Sequence, residues 1–462
     1  MIPLLRFTAL ALACSLLCGC TAAAPAPTVS TDPPAASSWD PLVAQPQYPQ
    51  VAAYPMEEDF IDAVTGEFDD DGYMQAYNLW RDGLRQNPSL AQQQMQTLTP
   101  YFSRCIPEFL STSDENTICS PANIYMALAM LAECTGGTSR QELLTLLNAG
   151  SIEDLRTQAQ QVWRSHYRAD GASTCILANS LWLENGLPFR EEITGRLARD
   201  YYASVFQGDL GSEEVNHLLR SWINDQTGGL LQEQSQNLTL DPQTILALAS
   251  TIYYRAKWTD EFWPDNNTDG IFHAPGGDLP AEFMNRTLSY GPYYWGDNFG
   301  AVSLSLEDGS KMWLILPDEG TTPADILSGG QAIRLTLGNW QESGQQKSLR
   351  INLSLPKFDV SSDLKLKDAL NRLEIQGVFD PETADFSALI PDTAAWLDTV
   401  NHAARVKVDE EGVEAAAYTV MAVCGAGAPP EEEMDFILDR PFLFVISSRY
   451  DLPLFCGVVN TP

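Results

Sequence analysis

Residues 409–424 read Asp409-Glu-Glu-Gly-Val-Glu-Ala-Ala-Ala-Tyr-Thr-Val-Met-Ala-Val-Cys424. In a β-strand, successive side chains point to opposite faces. Counted from Gly412, one face carries Val413, Ala415, Ala417, Thr419, Met421 and Val423, all apolar or small enough to bury. The other carries Glu414, Ala416, Tyr418, Val420, Ala422 and Cys424, so the charge and the phenol share the face left to solvent. A slip of one residue would bury Glu414, which is costly unless a partner meets it. Downstream lies Phe436-Ile-Leu-Asp-Arg-Pro-Phe-Leu-Phe-Val-Ile446, in which Leu443–Ile446 reads as a buried strand; Leu454–Val459 is a second.

Working upstream, helices and strands mix without a fixed repeat. Pro121–Leu131 is a long apolar helix, with Ser120 as cap and Pro121 in the first turn. Ser139–Leu147 follows as a helix after the Gly136-Gly137 break, and Leu364–Arg372 is expected to be helical. Ile176–Leu183, Ile245–Tyr254, Met312–Leu316 and Leu349–Leu355 read as strands. The order is not a strict strand–helix alternation, so the class is α+β. Nothing between residues 96 and 462 looks like a linker, which points to one large domain.

The N-terminal hundred residues have a different character. Met1–Cys20 carries Arg6 as its only charge, an apolar run from Phe7 to Leu17, and then Leu17-Cys18-Gly19-Cys20. That run is too short to span a bilayer permanently and suits a signal peptide. Residues 1–19 are read as the signal, with Cys20 as a lipidated N-terminus exposed by cleavage after Gly19. Residues 20–56, rich in Pro and Ala, read as an extended tether. Residues 57–95 form an acidic extension, in which Tyr73, Tyr77, Trp80 and Leu84 recur at the spacing of a short amphipathic helix. The expected location is therefore the cell surface, as an exported lipoprotein touching the membrane only through its anchor.

The chain of 462 residues has 27 Lys and Arg against 61 Asp and Glu, a formal net charge of −34. Too little positive charge remains to neutralise a phosphate backbone, which excludes nucleic acid as a partner. The four histidines, His166, His217, His273 and His402, are far apart, and HExxH, GxSxG and P-loop motifs are absent. No metal, cofactor or catalytic group is expected. Cys105, Cys119, Cys134, Cys175, Cys424 and Cys456 show no CxxC spacing and read as small buried hydrophobes.

The C-terminal quarter resembles the serpins. Phe436–Ile446 is similar to that family's signature segment, and Asp409–Ala417 to the hinge of an inhibitory reactive loop. Ser120-Pro121 before the apolar helix, Ile252-Tyr-Tyr-Arg-Ala-Lys-Trp258, Leu355-Pro-Lys-Phe358 and the Gly377–Phe386 stretch match in the same order. The resemblance covers roughly residues 96–462. It implies three β-sheets, eight or nine helices and an exposed reactive loop. It also implies a monomer that acts as a suicide-substrate inhibitor of serine proteases: the cleaved loop enters the central sheet as a new strand. That mechanism comes with the family; the residues add that their alternation permits it.

Family spacing puts the scissile bond at Ala426–Gly427, with Pro429-Pro430 just beyond it. Gly412 to Ala426 is 14 residue steps, about 46 Å of extended chain, enough to carry an attached protease across the domain and distort its catalytic geometry. Alanine suits a shallow pocket, so elastase-like or subtilisin-like proteases are the expected targets; Val423 or Cys424 would also suit one. The hinge is Glu410, Glu411, Gly412, Val413, Glu414, Ala415, Ala416 and Ala417. The resemblance also pairs Lys357 with Glu410 near Trp258, where the sheet first opens. At the shutter, Ser120 and His402 match the family, while Asn123 stands where it has a second serine and Ser250 where it has an asparagine. The exchange is expected to be a spatial swap that keeps one amide and two hydroxyls around one imidazole. The competing readings are a non-inhibitory surface serpin used for adhesion or ligand carriage, and an unrelated solute-binding lipoprotein.

Overall fold

The computed structural model describes residues 40–86, 92–110, 114–338, 345–397, 400–413 and 432–462. Cys20, Glu414, Ala415, Ala416, Ala417, Ala426 and Gly427 lie outside the described residues.

The run Thr174-Cys-Ile-Leu-Ala-Asn-Ser-Leu-Trp-Leu-Glu184 is apolar on both faces, so it must be covered on both sides. It forms β4 of a sheet built from β1 (Leu42–Ala44), β3 (Arg168–Ala169), β4, β5 (Ala203–Gly208), β6 (Leu246–Lys257), β12 (Phe358–Lys365), β13 (Asn401–Val408) and β14 (Gly412–Val413). The order is β1-β5-β4-β6-β14-β13-β12, with β3 on β4. Antiparallel pairs dominate, and β4–β5 is parallel.

The remaining strands are β2 (Thr117–Cys119), β7 (Thr268–Ala274), β8 (Gly277–Trp295), β9 (Phe299–Ser305), β10 (Lys311–Pro317), β11 (Gln345–Pro356), β15 (Glu433–Ile437), β16 (Phe442–Ser447) and β17 (Pro453–Val459). They form one continuous network, β15-β11-β8-β9-β10-β16-β17-β2, with β7 on β8. Two of the three sheets that the resemblance implies are joined here, because the end of the 19-residue β8 pairs with β9 while its body pairs with β7 and β11. The apolar β16 and β17 are buried at every position.

Eleven α-helices occur among the described residues, and three matter most here: α1 (Asp70–Gln86), α2 (Gln92–Phe109) and α3 (Pro121–Cys134). Helix α3 is buried almost all round, as a core helix should be. Ser120 caps it by accepting the Asn123 N–H at 3.2 Å, with Pro121 at the first helical position.

Two expectations need correction. Leu364 ends β12, which pairs with β13 along its whole length, so the helix begins only at Lys367 and runs to Arg372. The segment read as a tether to residue 56 packs from Leu42 onward. β1 pairs with β5, and Tyr48 lies with its ring centroid 5.1 Å from that of Trp163 and near Tyr167 and Tyr202. Tyr54 packs edge-on against Trp80 and Tyr77 of α1, whose Trp80 Nε1 donates to Asp170 at 3.2 Å. Its prolines exclude regular structure; its aromatic residues still find core to bury in.

Candidate functional site

The chain leaves β13 at Val408 and reverses over Asp409, whose carboxylate accepts from the backbone N–H groups of Glu411 and Gly412. The reversal delivers Gly412 and Val413 as β14 between β6 and β13. Gly412 pairs with Lys257, and Val413 with Ala256 on one side and Val408 on the other. A Cβ at position 412 would lie 2.4 Å from the Ala256 carbonyl oxygen and 2.7 Å from the Lys257 Cα, so only glycine allows this approach. Val413 is buried, on the face that the alternation assigns to the interior.

Around this hinge the structure brings the opening-point residues together. The Trp258 indole N–H donates to the Asp409 carbonyl at 2.9 Å, and its backbone N–H to the Glu411 carbonyl at 3.0 Å. Lys357 Nζ lies 2.6 Å from Glu410 and 3.0 Å from Glu282. Asn267 donates to both carboxylates. Burial pulls the Lys357 ammonium down, but hydrogen bonds to Glu410 and Glu282 outweigh it and leave its pKa raised. Burial likewise pushes Glu410 up, and the hydrogen bonds from Lys357 and Asn267 bring it below the usual carboxylate range. Asn267 and Glu282 were not singled out in the sequence, and nothing in it marks them, because they reach the hinge from a separate loop and strand.

Farther along the same gap, the shutter residues meet below the sheet. The Ser120 N–H donates to His402 Nε2 at 2.9 Å. Burial pushes the His402 imidazole down to a pKa of about 4, so it is neutral near pH 7 with its proton on Nδ1. Ser250 Oγ lies 2.6 Å from the Asn123 side-chain amide and 2.7 Å from that of Asn179. Asn179 also donates to the Leu177 and Tyr201 carbonyls, at 3.3 and 3.4 Å. The cluster therefore holds two amides, where one was expected. Ser120 serves chiefly as the helix cap. The signal for Asn179 was available: a buried amide inside the otherwise apolar run of β4.

Between β6 and β13, beyond Val413, lies a cavity of about 450 Å³. No ladder joins those two strands to each other among the described residues. Asn123 and Leu128 of α3 floor the cavity, Leu219 and Ile223 of the helix Glu213–Gln226 cover it, and Ser250 and His402 stand on its two walls. The model leaves one amide atom of Asn123 without a partner, along with Thr251 Oγ1 and Gln234 Oε1, which line the same space.

The family model described as serpin (serine protease inhibitor) matches residues 103–462. Serpin-Z1C of Triticum aestivum is 29% identical over 368 residues, which cover 75% of this chain and 90% of that protein. The leukocyte elastase inhibitor of Sus scrofa is 28% identical over 358 residues, covering 75% and 93%. Among solved structures, the thermophilic serpin Tengpin in its native state has a TM-score of 0.71 at 23% identity, covering 81% of this chain and 96% of its own. That likeness shows the fold.

Proposed function

The chain belongs to the serpin family, and we propose that it is a suicide-substrate inhibitor of serine proteases with elastase-like or subtilisin-like specificity, cleaved at Ala426–Gly427. The observation that carries this reading is the hinge. Gly412 and Val413 already sit as the first two residues of a strand between β6 and β13, with a cavity ahead of them. Continuing the register places Glu414 opposite Arg255 on β6 and Lys407 on β13, two cations for the one acid of the inserting segment. The small residues that follow meet no bulky or charged obstacle on the interior face. Similarity to a leukocyte elastase inhibitor agrees with a small residue before the cut. In this reading Cys20 carries the lipid that holds the inhibitor at the cell surface.

Incubation with pancreatic elastase tests the proposal. The expected result is an SDS-resistant complex of inhibitor and protease in equimolar amount, together with release of a C-terminal peptide beginning at Gly427. Cleavage without a complex would favour the non-inhibitory reading. A first cut beyond Pro430 would refute the assigned bond.

A further inference from the structure

The Ser250 hydroxyl has one proton, yet it lies within hydrogen-bond distance of two side-chain carbonyl oxygens, those of Asn123 and Asn179. One of the two amides must turn its nitrogen to Ser250. Asn179 is fixed, because its nitrogen already donates to two main-chain carbonyls. Asn123 is therefore the one that turns, a half-rotation that exchanges oxygen and nitrogen in place. Its nitrogen then donates to Ser250 Oγ, and its oxygen takes the unpartnered position in the cavity. Asn123 is fully buried, so that position is an acceptor without a donor. On the opposite wall, His402 accepts from Ser120 through Nε2, which leaves its Nδ1–H without a partner among the described residues.

One acceptor and one donor thus face a common cavity, and the register states what comes between them. Val413 pairs with Ala256 and with Val408. Six residues further on, Thr419 falls opposite Ser250 on β6 and His402 on β13, on the interior face that it shares with Val413. We propose that the shutter cavity is a docking site for the chain's own residues 414–423, and that the Thr419 hydroxyl completes its hydrogen-bond network: it accepts from His402 Nδ1–H and donates to the Asn123 amide oxygen. The completed series runs from the Ser120 N–H through His402, Thr419, Asn123 and Ser250 to Asn179 and the Leu177 and Tyr201 carbonyls, with each hydroxyl donating once. The uncleaved protein carries the unmet pair; the inserted strand relieves it. This inference rests on the proposed inhibitory reading and assigns it a selectivity element, a hydroxyl at one position of the loop.

The test uses the full chain, intact and after cleavage in its reactive loop, with thermal midpoints of both forms and size-exclusion chromatography. Wild type is expected to gain at least 20 °C on cleavage and to stay monomeric. Thr419→Val should leave the midpoint of the intact protein unchanged and reduce the gain by several degrees. Thr419→Ser, which keeps the hydroxyl, should restore it. In an Asn123→Ser background, the effect of Thr419→Val should shrink by half or more. Equal losses from Thr419→Val in both backgrounds would overturn the assignment, as would a gain that Thr419→Val does not alter. A gain seen only in a dimer would overturn it in favour of a strand donated by a second copy. If wild type gains nothing on cleavage, the inhibitory reading itself has failed, which is a distinguishable result.

Discussion

His402 joins the two strands that must part to the helix beneath them, and it does so only while neutral. Its pKa of about 4 lies below the ordinary histidine value because the ring is buried. Between those two values the unfolded chain binds a proton that the folded chain does not, so stability is lost as the pH falls from about 6.5 to about 4. A shift of this size corresponds to about 3 kcal/mol once the pH reaches the lower value. His166, held by the Val162 carbonyl and Ser448, is likewise pushed down to about 4 by burial and adds to the same window. Urea unfolding at pH 7.0 and pH 4.5 should show a fall in midpoint, with the His402→Asn variant showing a shallower dependence. An NMR titration that placed the His402 imidazole near pH 6.5 would contradict this. The role of residue 402 was legible because it falls at a fixed distance before the hinge. The pairing of Asn123 with Asn179 through Ser250 was not, since it depends on three elements meeting far apart in sequence.

Among the elements, those with one strong physical cause were legible and those with competing causes were not. The cap, the proline and the apolar run of α3 agree with one another, and the helix lies where they put it. β12 begins with alternating burial and ends in residues that also suit a helix, so pairing with β13 decides the boundary at Lys365. The packed stretch from Leu42 to Met56 was hidden by proline content, which speaks against helices and ladders but says nothing about aromatic anchoring. Tyr48 is the anchor to test. Its ring contacts Trp163, Tyr167 and Tyr202, and burial raises its phenol far above the ordinary value. Tyr48→Ala should cost about 2–4 kcal/mol, as for large aromatic truncations in cores. Equilibrium denaturation would measure it, and a loss below about 0.5 kcal/mol would mean that residues 40–56 are a passive tail after all.

For the molecule as a whole, the large sheet has a gap in its middle and closed margins. Lys357, Glu410, Glu282, Asn267 and Trp258 hold one end of that gap, and Ser120, Asn123, Ser250 and His402 hold its middle. The fold class, the hinge and the two clusters were each readable from short motifs. Their alignment along one gap became visible only in three dimensions, because β6 and β13 are about 150 residues apart in sequence.

The margin closed by β1 has a consequence for handling and self-association. β1 is only three residues long, flanked by Pro41 and Pro46, and the Pro41 carbonyl accepts the Gln207 N–H of β5 at 2.8 Å. Proline offers no N–H, and so short a strand gives a neighbouring molecule little to continue. The N-terminal segment is therefore a selvage on the sheet, finishing an edge that would otherwise unravel into intermolecular pairing. A form truncated at residue 57 would expose the β5 edge and should associate with increasing concentration by light scattering, while the full chain stays monodisperse. Crowded at a surface by lipid anchors, molecules with a finished edge can lie side by side without fusing their sheets, leaving the interior gap as the one place where a strand can enter.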